Sequence, residues 1–399
     1  MTDLASEPPL FPFVLREADE DDPVALGLRE SGPLVRALTE EGTEAWVALT
    51  YETARQVITD PRMSRPAAFE PEAPRTTPAQ ATPEMLPKLD KEDHTRVRRM
   101  MLRALTPAAQ ERQRPGIAAL VDKLLDGFDD QPLDLLARFL TPLPVTVICQ
   151  LYGAPEEDWD PFVRWADHIQ HTTSFTAVEI MESAAELNRY GYDLVEAKRA
   201  NPGDDFTTDL IRIGDETGGL SNDEIVQNLL LILVAANDAS LKEMAVCFTA
   251  LLKRPRQYRW LVEHPEAVPT AVEELIRFAR LSRSGLPIRV AQEDLEIGGQ
   301  LVRKGEGVIP LHHLAHRDPA VFADPDTMDL TRPEASRHLG FGGGAHYCTG
   351  APLARVMMQE ALGGLIRRFP GLRLATPWEE LEWQEGGLLR SPKVLPVQW

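Results

Sequence analysis

The 399-residue sequence predicts a mostly α-helical protein with a minor β region, and three observations carry that expectation. From about residue 90 to residue 280 the apolar residues recur at helical spacing, broken only by Pro, Gly and Asp clusters such as GAPEEDWDP and NPGDD. After Arg280 the chain changes to short alternating segments, LPIRVAQ, DLEIGGQLV and GEGVIPL, punctuated at Gly298-Gly299 and Lys304-Gly305 as strands joined by turns are. From Ala351 a helical pattern returns, with Leu353, Ala354, Met357, Ala361, Leu365 and Ile366 on one face. No low-complexity linker and no internal repeat divides the chain, so residues 1–399 are expected to form one domain.

In chain order, the first 50 residues carry turns and a strand pattern, WVALTYE, followed by a brief helix over Thr53 to Thr59 that ends at Asp60-Pro61. Residues 65–88 hold Pro66, Pro71, Pro74, Pro78, Pro83 and Pro87, too many for regular structure, and are expected to be a long loop. Ser221-Asn-Asp-Glu224 is a capping box, which opens a helix that can run to about Leu252. Its middle is almost wholly apolar until Asn237, Asp238 and Ser240 interrupt it. Such residues compete for backbone hydrogen bonds, and a buried carboxylate is costly unless paired. Spacing alone leaves two readings open, a satisfied structural cluster or a functional one. The terminal EGGLLRSPKVLPVQW reads as a hairpin-like piece.

Composition excludes several classes. An apolar fraction of 43% is ample for a core, and a formal charge of −20 argues against nucleic acid as a partner. Three separated cysteines form neither a disulfide framework nor a paired metal spacing, which suits a reducing, cytoplasmic compartment. The N-terminal residues lack the basic and apolar regions of a signal peptide, and the longest apolar run, Leu229 to Ala236, is far shorter than the roughly 20 residues that span a bilayer. No membrane association is expected. One compact basic segment, with Arg96, Arg98, Arg99 and Arg103, stands out from the acidic background as either a solvated helix face or a docking patch. In the HHLAH run of His312, His313 and His316, His312 and His316 could share a helical face and bind zinc, but no nearby Cys or carboxylate completes the set and no HExxH motif is present.

The most specific stretch is HLGFGGGAHYCTGAPLAR. Gly340, Gly342, Gly343 and Gly344 permit tight turns and close approach to a flat ligand, and Cys348 stands just ahead of the Ala351 helix, where the helix dipole and backbone N–H groups favour a thiolate. Cys149 and Cys247, in apolar surroundings, read as small core residues. His94 and Arg98 share one helical face at i, i+4, and Glu274 and Arg277 form an E-x-x-R pair.

On Phe341, Gly342, Gly344, His346, Cys348, Gly350 and Ala351 the chain resembles the cytochrome P450 superfamily of heme-thiolate enzymes, and the resemblance runs from about Trp46 to Trp399. It implies a triangular helical prism holding heme b between the Ser221–Leu252 helix and the cysteine helix. Cys348 would ligate the iron, and His94, Arg98, Arg289 and His346 would meet the propionates. Glu274, Arg277 and Arg332 would lock the core. The long helix would pass over the iron, where the family normally has an acid followed by a threonine. Here the run is Ala235-Ala236-Asn237-Asp238-Ala239-Ser240, so Asp238 keeps the acid while Ala239 replaces the alcohol. Asp238, Asn237 and Ser240 are the candidate catalytic residues. Phe69, Met85, Leu86, Phe175, Val234, Leu286, Pro287, Leu388 and Leu389 are expected to line the substrate pocket.

The implied activity is oxidation of a small hydrophobic or aromatic secondary metabolite, such as a cyclic dipeptide, by hydroxylation or by aryl or C–N coupling. The alternative is a heme-bound sensor or ligand carrier without turnover. A monomer is expected, fed by ferredoxin and ferredoxin reductase, with docking near Arg96, Arg99 and Arg103.

Overall fold

The computed structural model describes residues 8–13, 23–75, 84–89, 91–170, 175–384 and 389–399. Helices dominate. The longest, Asn222–Leu252, is opened by Ser221, whose side chain accepts from the Glu224 N–H while Glu224 reaches back to the Ser221 N–H. At 31 residues it is about 46 Å long.

The long helix joins two packed clusters. Its first half, Ile225 to Leu233, is buried with Val97, Met101, Ile148, Tyr152 and Phe206. Its second half, Met244 to Leu252, is buried with Leu275, Phe278, Leu353, Met357 and Leu365. Between them most residues from Val234 to Glu243 keep some accessible surface, Asp238 and Lys242 excepted. A helix anchored at both ends and left open in its middle is a rigid platform for a site.

The minor β region is assembled mostly from distant segments. A six-stranded sheet runs in the order Leu10–Phe11, Leu34–Thr39, Glu44–Ala48, Gly307–Pro310, Arg289–Ala291 and Met63–Ser64. Leu295–Ile297 and Gln300–Val302 form a separate antiparallel hairpin. Its turn is Gly298-Gly299, with φ of +56° and +77°, the left-handed pair that a tight hairpin demands.

Two expectations need correction. The WVALTYE strand ends at Ala48, because Thr50 caps a helix over Tyr51–Thr59 through a hydrogen bond to the Thr53 N–H. The C-terminal piece divides: Gln384 and Lys393 pair with Ser391 and Glu382 as a hairpin would, but Pro396–Gln398 leaves to pair with Arg373–Leu374 and Leu133–Asp134. In the proline-rich segment the described residues contain only the short turns Pro66–Phe69 and Leu86–Lys88.

Near the cysteine loop, buried Glu274 accepts from Arg277 at 2.7 and 2.8 Å and from Arg332 at 3.2 and 3.3 Å. Arg277 also donates to the carbonyls of His316 and Pro325, and Arg332 to those of Ala323 and Asp324. His316 spends both ring nitrogens on backbone, the Arg277 carbonyl and the Leu339 N–H, so it pins the start of the cysteine loop rather than offering itself to a metal. Cys149 and Cys247 are buried.

Candidate active site

The cysteine loop is held first by its own backbone. Gly342 N–H donates to Leu339 at 2.8 Å, Cys348 N–H to Phe341 at 3.0 Å and Tyr347 N–H to Gly344 at 3.2 Å. Gly342 and Gly344 adopt φ of +71° and +62°, which a side chain would strain. A Cβ on Gly344 would stand 2.6 Å from the Ile58 carbonyl oxygen, and one on Gly343 would stand 2.8 Å from Ile58 Cδ1. These two glycines therefore dock the loop on the Tyr51–Thr59 helix, a packing role beyond the tight turns and ligand approach that the sequence suggested. Gly350 suits that assignment better, its absent Cβ lying 4.0 Å from the Cys348 sulfur.

Cys348 has accessible surface and yet is strongly desolvated, a combination that places its sulfur on an enclosed interior space. Burial raises its thiol pKa; the Gly350 N–H, the Arg98 charge, the Ala351 N–H and the Arg355 charge pull the other way. The expected preference for thiolate is therefore incomplete in the protein alone, because desolvation exceeds the four stabilising contacts. A metal cation at the sulfur reverses that balance.

Beside the sulfur, the candidate propionate-binding side chains converge. His94, on the Lys91–Ala104 helix, and His346, in the loop, have ring centroids 4.3 Å apart. Arg98, one turn after His94, donates to the Tyr347 carbonyl at 2.5 Å. Burial brings the His346 imidazole down to about 3, and the charged groups acting on it, Arg289, His94, Arg65 and Arg98, are all cationic. Arg65 itself falls to about 9 through burial and the charge of Arg289. Arg65 escaped the sequence reading. It sits in the proline-rich segment over the ring of Phe69, at 4.3 Å, with no periodic relation to the other cations.

Behind the loop, Arg355 of the Ala351–Arg368 helix donates to both oxygens of Glu273 at 2.6 and 2.9 Å and to the Tyr347 hydroxyl at 3.2 Å. His338 meets Glu273 at 3.1 Å. Burial would raise the Glu273 carboxyl, but its bonds to His338 and Arg355 prevail and hold it at about 2.

On the long helix, Asp238 is buried and paired at 2.9 Å with Lys242, one turn further on. That i, i+4 partner was visible in the sequence and supplies the compensation a buried carboxylate needs. Among the described residues the buried Asn237 side-chain oxygen has no hydrogen-bond partner, and Ser240 stays half-buried.

The expected substrate residues are scattered in environment. Leu86 is core, packed with Val97 and the first half of the long helix, and its N–H donates to Asn228 at 2.9 Å. Met85, Phe69, Val234 and Leu286 are half-buried, and Pro287 is exposed. Phe175 lies against His168, with ring centroids 4.2 Å apart. Leu389 bridges to Ser282, and Leu388 lies outside the described residues. Of the basic segment, Arg99 and Arg103 are exposed, but Arg96 binds Glu224 at 2.6 Å and the Gly219 carbonyl, tying its helix to the start of the long helix.

The family model for cytochrome P450 matches residues 41–397. The chain belongs to the cytochrome P450 family. It is 41% identical over 388 residues to nocardicin C N-oxygenase of Nocardia uniformis subsp. tsuyamanensis, covering 95% of this chain and 97% of that one. Mycinamicin IV hydroxylase/epoxidase of Micromonospora griseorubida is 38% identical over 374 residues, covering 93% and 94%. Among solved structures, the LnmA cytochrome P450 hydroxylase from the leinamycin biosynthetic pathway of Streptomyces atroolivaceus S-140 superposes with a TM-score of 0.92 at 39% identity, covering 98% of this chain and all of that one. This P450 is accordingly an enzyme dependent on external electron donors, which removes the carrier reading.

Members of this family carry heme b, and the residues present fit it. A desolvated sulfur faces an interior space, Gly350 leaves room beside it, and buried cations crowd together where two propionates would relieve their mutual repulsion. Among the described residues no helix is long and apolar enough to cross a membrane.

Proposed function

We propose that this P450 oxidises a small, largely apolar secondary metabolite at a heme held by Cys348, with His94, Arg98, Arg289 and His346, joined by Arg65, receiving the propionates. The observation that carries this reading is the meeting of one desolvated cysteine sulfur with a cluster of buried cations. When bound, the heme supplies dioxygen activation, with the thiolate favouring O–O cleavage. The protein's own part is to hold that ligand, seat the anionic edge and close the site to water. The Gly350 and Ala351 N–H groups hold the sulfur, and His316, bonded to the Arg277 carbonyl and the Leu339 N–H, ties the start of the loop to the segment that carries Glu274.

Hydroxylation and oxidative coupling of an aromatic substrate remain the two reaction outcomes, with Asp238, Asn237 and Ser240 as the polar groups of the long helix. The Lys242 ion pair favours a positioning role for Asp238, and the unpartnered Asn237 oxygen favours a contact with water or substrate. Half-buried Phe69, Met85, Val234 and Leu286 support an apolar pocket, to which Phe175, Pro287, Leu388 and Leu389 would add. Arg99 and Arg103 would steer an acidic ferredoxin to the cysteine side of a monomeric, single-domain, cytoplasmic enzyme. The relatives' names, an N-oxygenase and a hydroxylase/epoxidase, support tailoring of secondary metabolites as the setting.

The test is a panel of cyclic dipeptides and other aromatic metabolites, scored by the heme absorption shift on displacement of bound water and then by product mass. A gain of one oxygen establishes hydroxylation and a loss of two hydrogens establishes coupling. A panel in which macrolides or aliphatic terpenes bind and aromatic compounds do not would contradict the aromatic assignment.

A further inference from the structure

Besides Asp238, the middle of the long helix carries a second carboxyl, Glu243. Glu243 stands one turn, about 6 Å, beyond Ala239 and shares its face with Ile232, Ala235 and Ala236 at helical spacing. Each of these keeps accessible surface, although the helix is buried both before and after them. Glu243 combines accessible surface with strong desolvation, as Cys348 does, so it borders an interior space and not bulk water. Asp238 and Lys242 lie about 140° and 100° around the helix from Glu243, and both are buried and bound to each other.

We propose that Glu243 is the proton reservoir of the oxygen chemistry, serving through interior water from the position one turn beyond the missing alcohol at Ala239. It rests on the dioxygen-activating reading of the Cys348 site but not on the substrate's identity. Its carboxyl O–H gives a proton to the adjoining water, leaving a carboxylate that takes a replacement proton from solvent along the same water. The Cys247 thiol donates to Glu243 Oε1 at 3.4 Å and holds that oxygen, so the other oxygen carries the exchangeable proton.

Burial raises the Glu243 carboxyl to about 7, with Cys247 pulling slightly the other way. Cys247 is itself held as a thiol by burial. No charged side chain among the described residues of the helices packed on this segment, Pro142–Tyr152, Ala177–Ala200 and Val268–Phe278 included, contributes to that shift. Asp238 and Lys242 share its helix, but they are engaged with each other. The acid form is the working one, so proton supply is full below about pH 7 and fades as pH rises through that value.

Infrared titration of the wild-type holoenzyme is the first arm. A protonated-carboxyl band that disappears with a midpoint near 7, and is lost in Glu243→Gln, supports the proposal; no such band, or a midpoint in the ordinary glutamate range, overturns it. The second arm measures product formed per electron consumed. Glu243→Gln should lower it about tenfold or more and abolish its pH dependence, while Glu243→Asp, or Ala239→Thr added to Glu243→Gln, should restore much of it. Unchanged coupling and an unchanged pH profile in Glu243→Gln would refute the role. If Glu243→Gln fails to retain heme, the band should instead shift in frequency in Glu243→Asp, and a band that stays in place refutes the assignment. Absence of the thiolate-shifted carbon monoxide band in wild type would refute the underlying heme reading instead.

Discussion

The cysteine side and the long-helix side of this site are held in opposite ways. On the cysteine side the groups that shape the loop have fixed partners: Glu274 accepts from two arginines, Arg355 grips Glu273 with two bonds, His316 ties two backbone groups, and two glycines seat the loop against Ile58. On the long helix, between two apolar anchors, Ala235, Ala236 and Ala239 keep accessible surface, and among the described residues the Asn237 side-chain oxygen has no partner and Glu243 accepts from the weak Cys247 thiol donor. The difference teaches that the ligand side is built for one geometry. The reacting side pairs Asp238 with Lys242 but leaves Asn237 and Glu243 loosely engaged, so that water and substrate can complete them.

The contrast is broken most severely at Glu274. Glu274→Ala leaves Arg277 and Arg332 buried without their carboxylate and is expected to cost about 3–5 kcal/mol in urea unfolding. A loss comparable to that of an exposed ion pair would mean that the network is not a structural lock. The next effect is smaller and specific to the cofactor. Arg65→Met removes one cation from the cluster around His346, and heme loss to a scavenging globin should accelerate about 10- to 100-fold with little change in the fold's helical spectrum.

Arg99 and Arg103 sharpen the comparison at the surface. Reversing both to Glu should slow reduction by an acidic ferredoxin about tenfold at low ionic strength, and the deficit should close as salt is added. Arg96→Gln, from the same helix, should instead lower thermal stability and leave the salt dependence intact, since Arg96 is spent on Glu224.

The smallest effect is a change of slope. Glu273 has a folded pKa of about 2, below its ordinary value of 4.5, so its contribution to stability is complete above about pH 4.5 and is lost as pH falls toward 2. Glu273→Gln should flatten acid unfolding in that window and have least effect on the slope near neutrality. An unchanged slope below pH 4.5 would mean that Glu273 is not anchored by His338 and Arg355.

How far the sequence spoke for itself differs between the same two sides. The Ser221 capping box, the Gly298-Gly299 turn and the Cys348 loop are local signals, each fixed by a few adjacent residues, and they appear in the structure where the sequence sets them. Arg65 and the Glu273 network depend on tertiary placement, and no spacing within the chain announces them. The docking of Gly343 and Gly344 against Ile58 was hidden for the same reason: a glycine required by packing and one required by a ligand look alike in sequence. Lys242 is the exception, a partner for Asp238 at i, i+4 that helical periodicity could have supplied.

The most direct test of the account is the absorption spectrum of the reduced protein under carbon monoxide, recorded for wild type and for Cys348→His. Wild type should show the thiolate-shifted heme band, and the variant should retain heme but show the unshifted band of a nitrogen ligand. A wild-type spectrum without the shifted band, or a Cys348→His spectrum that keeps it, would contradict the assignment of Cys348 as the iron ligand.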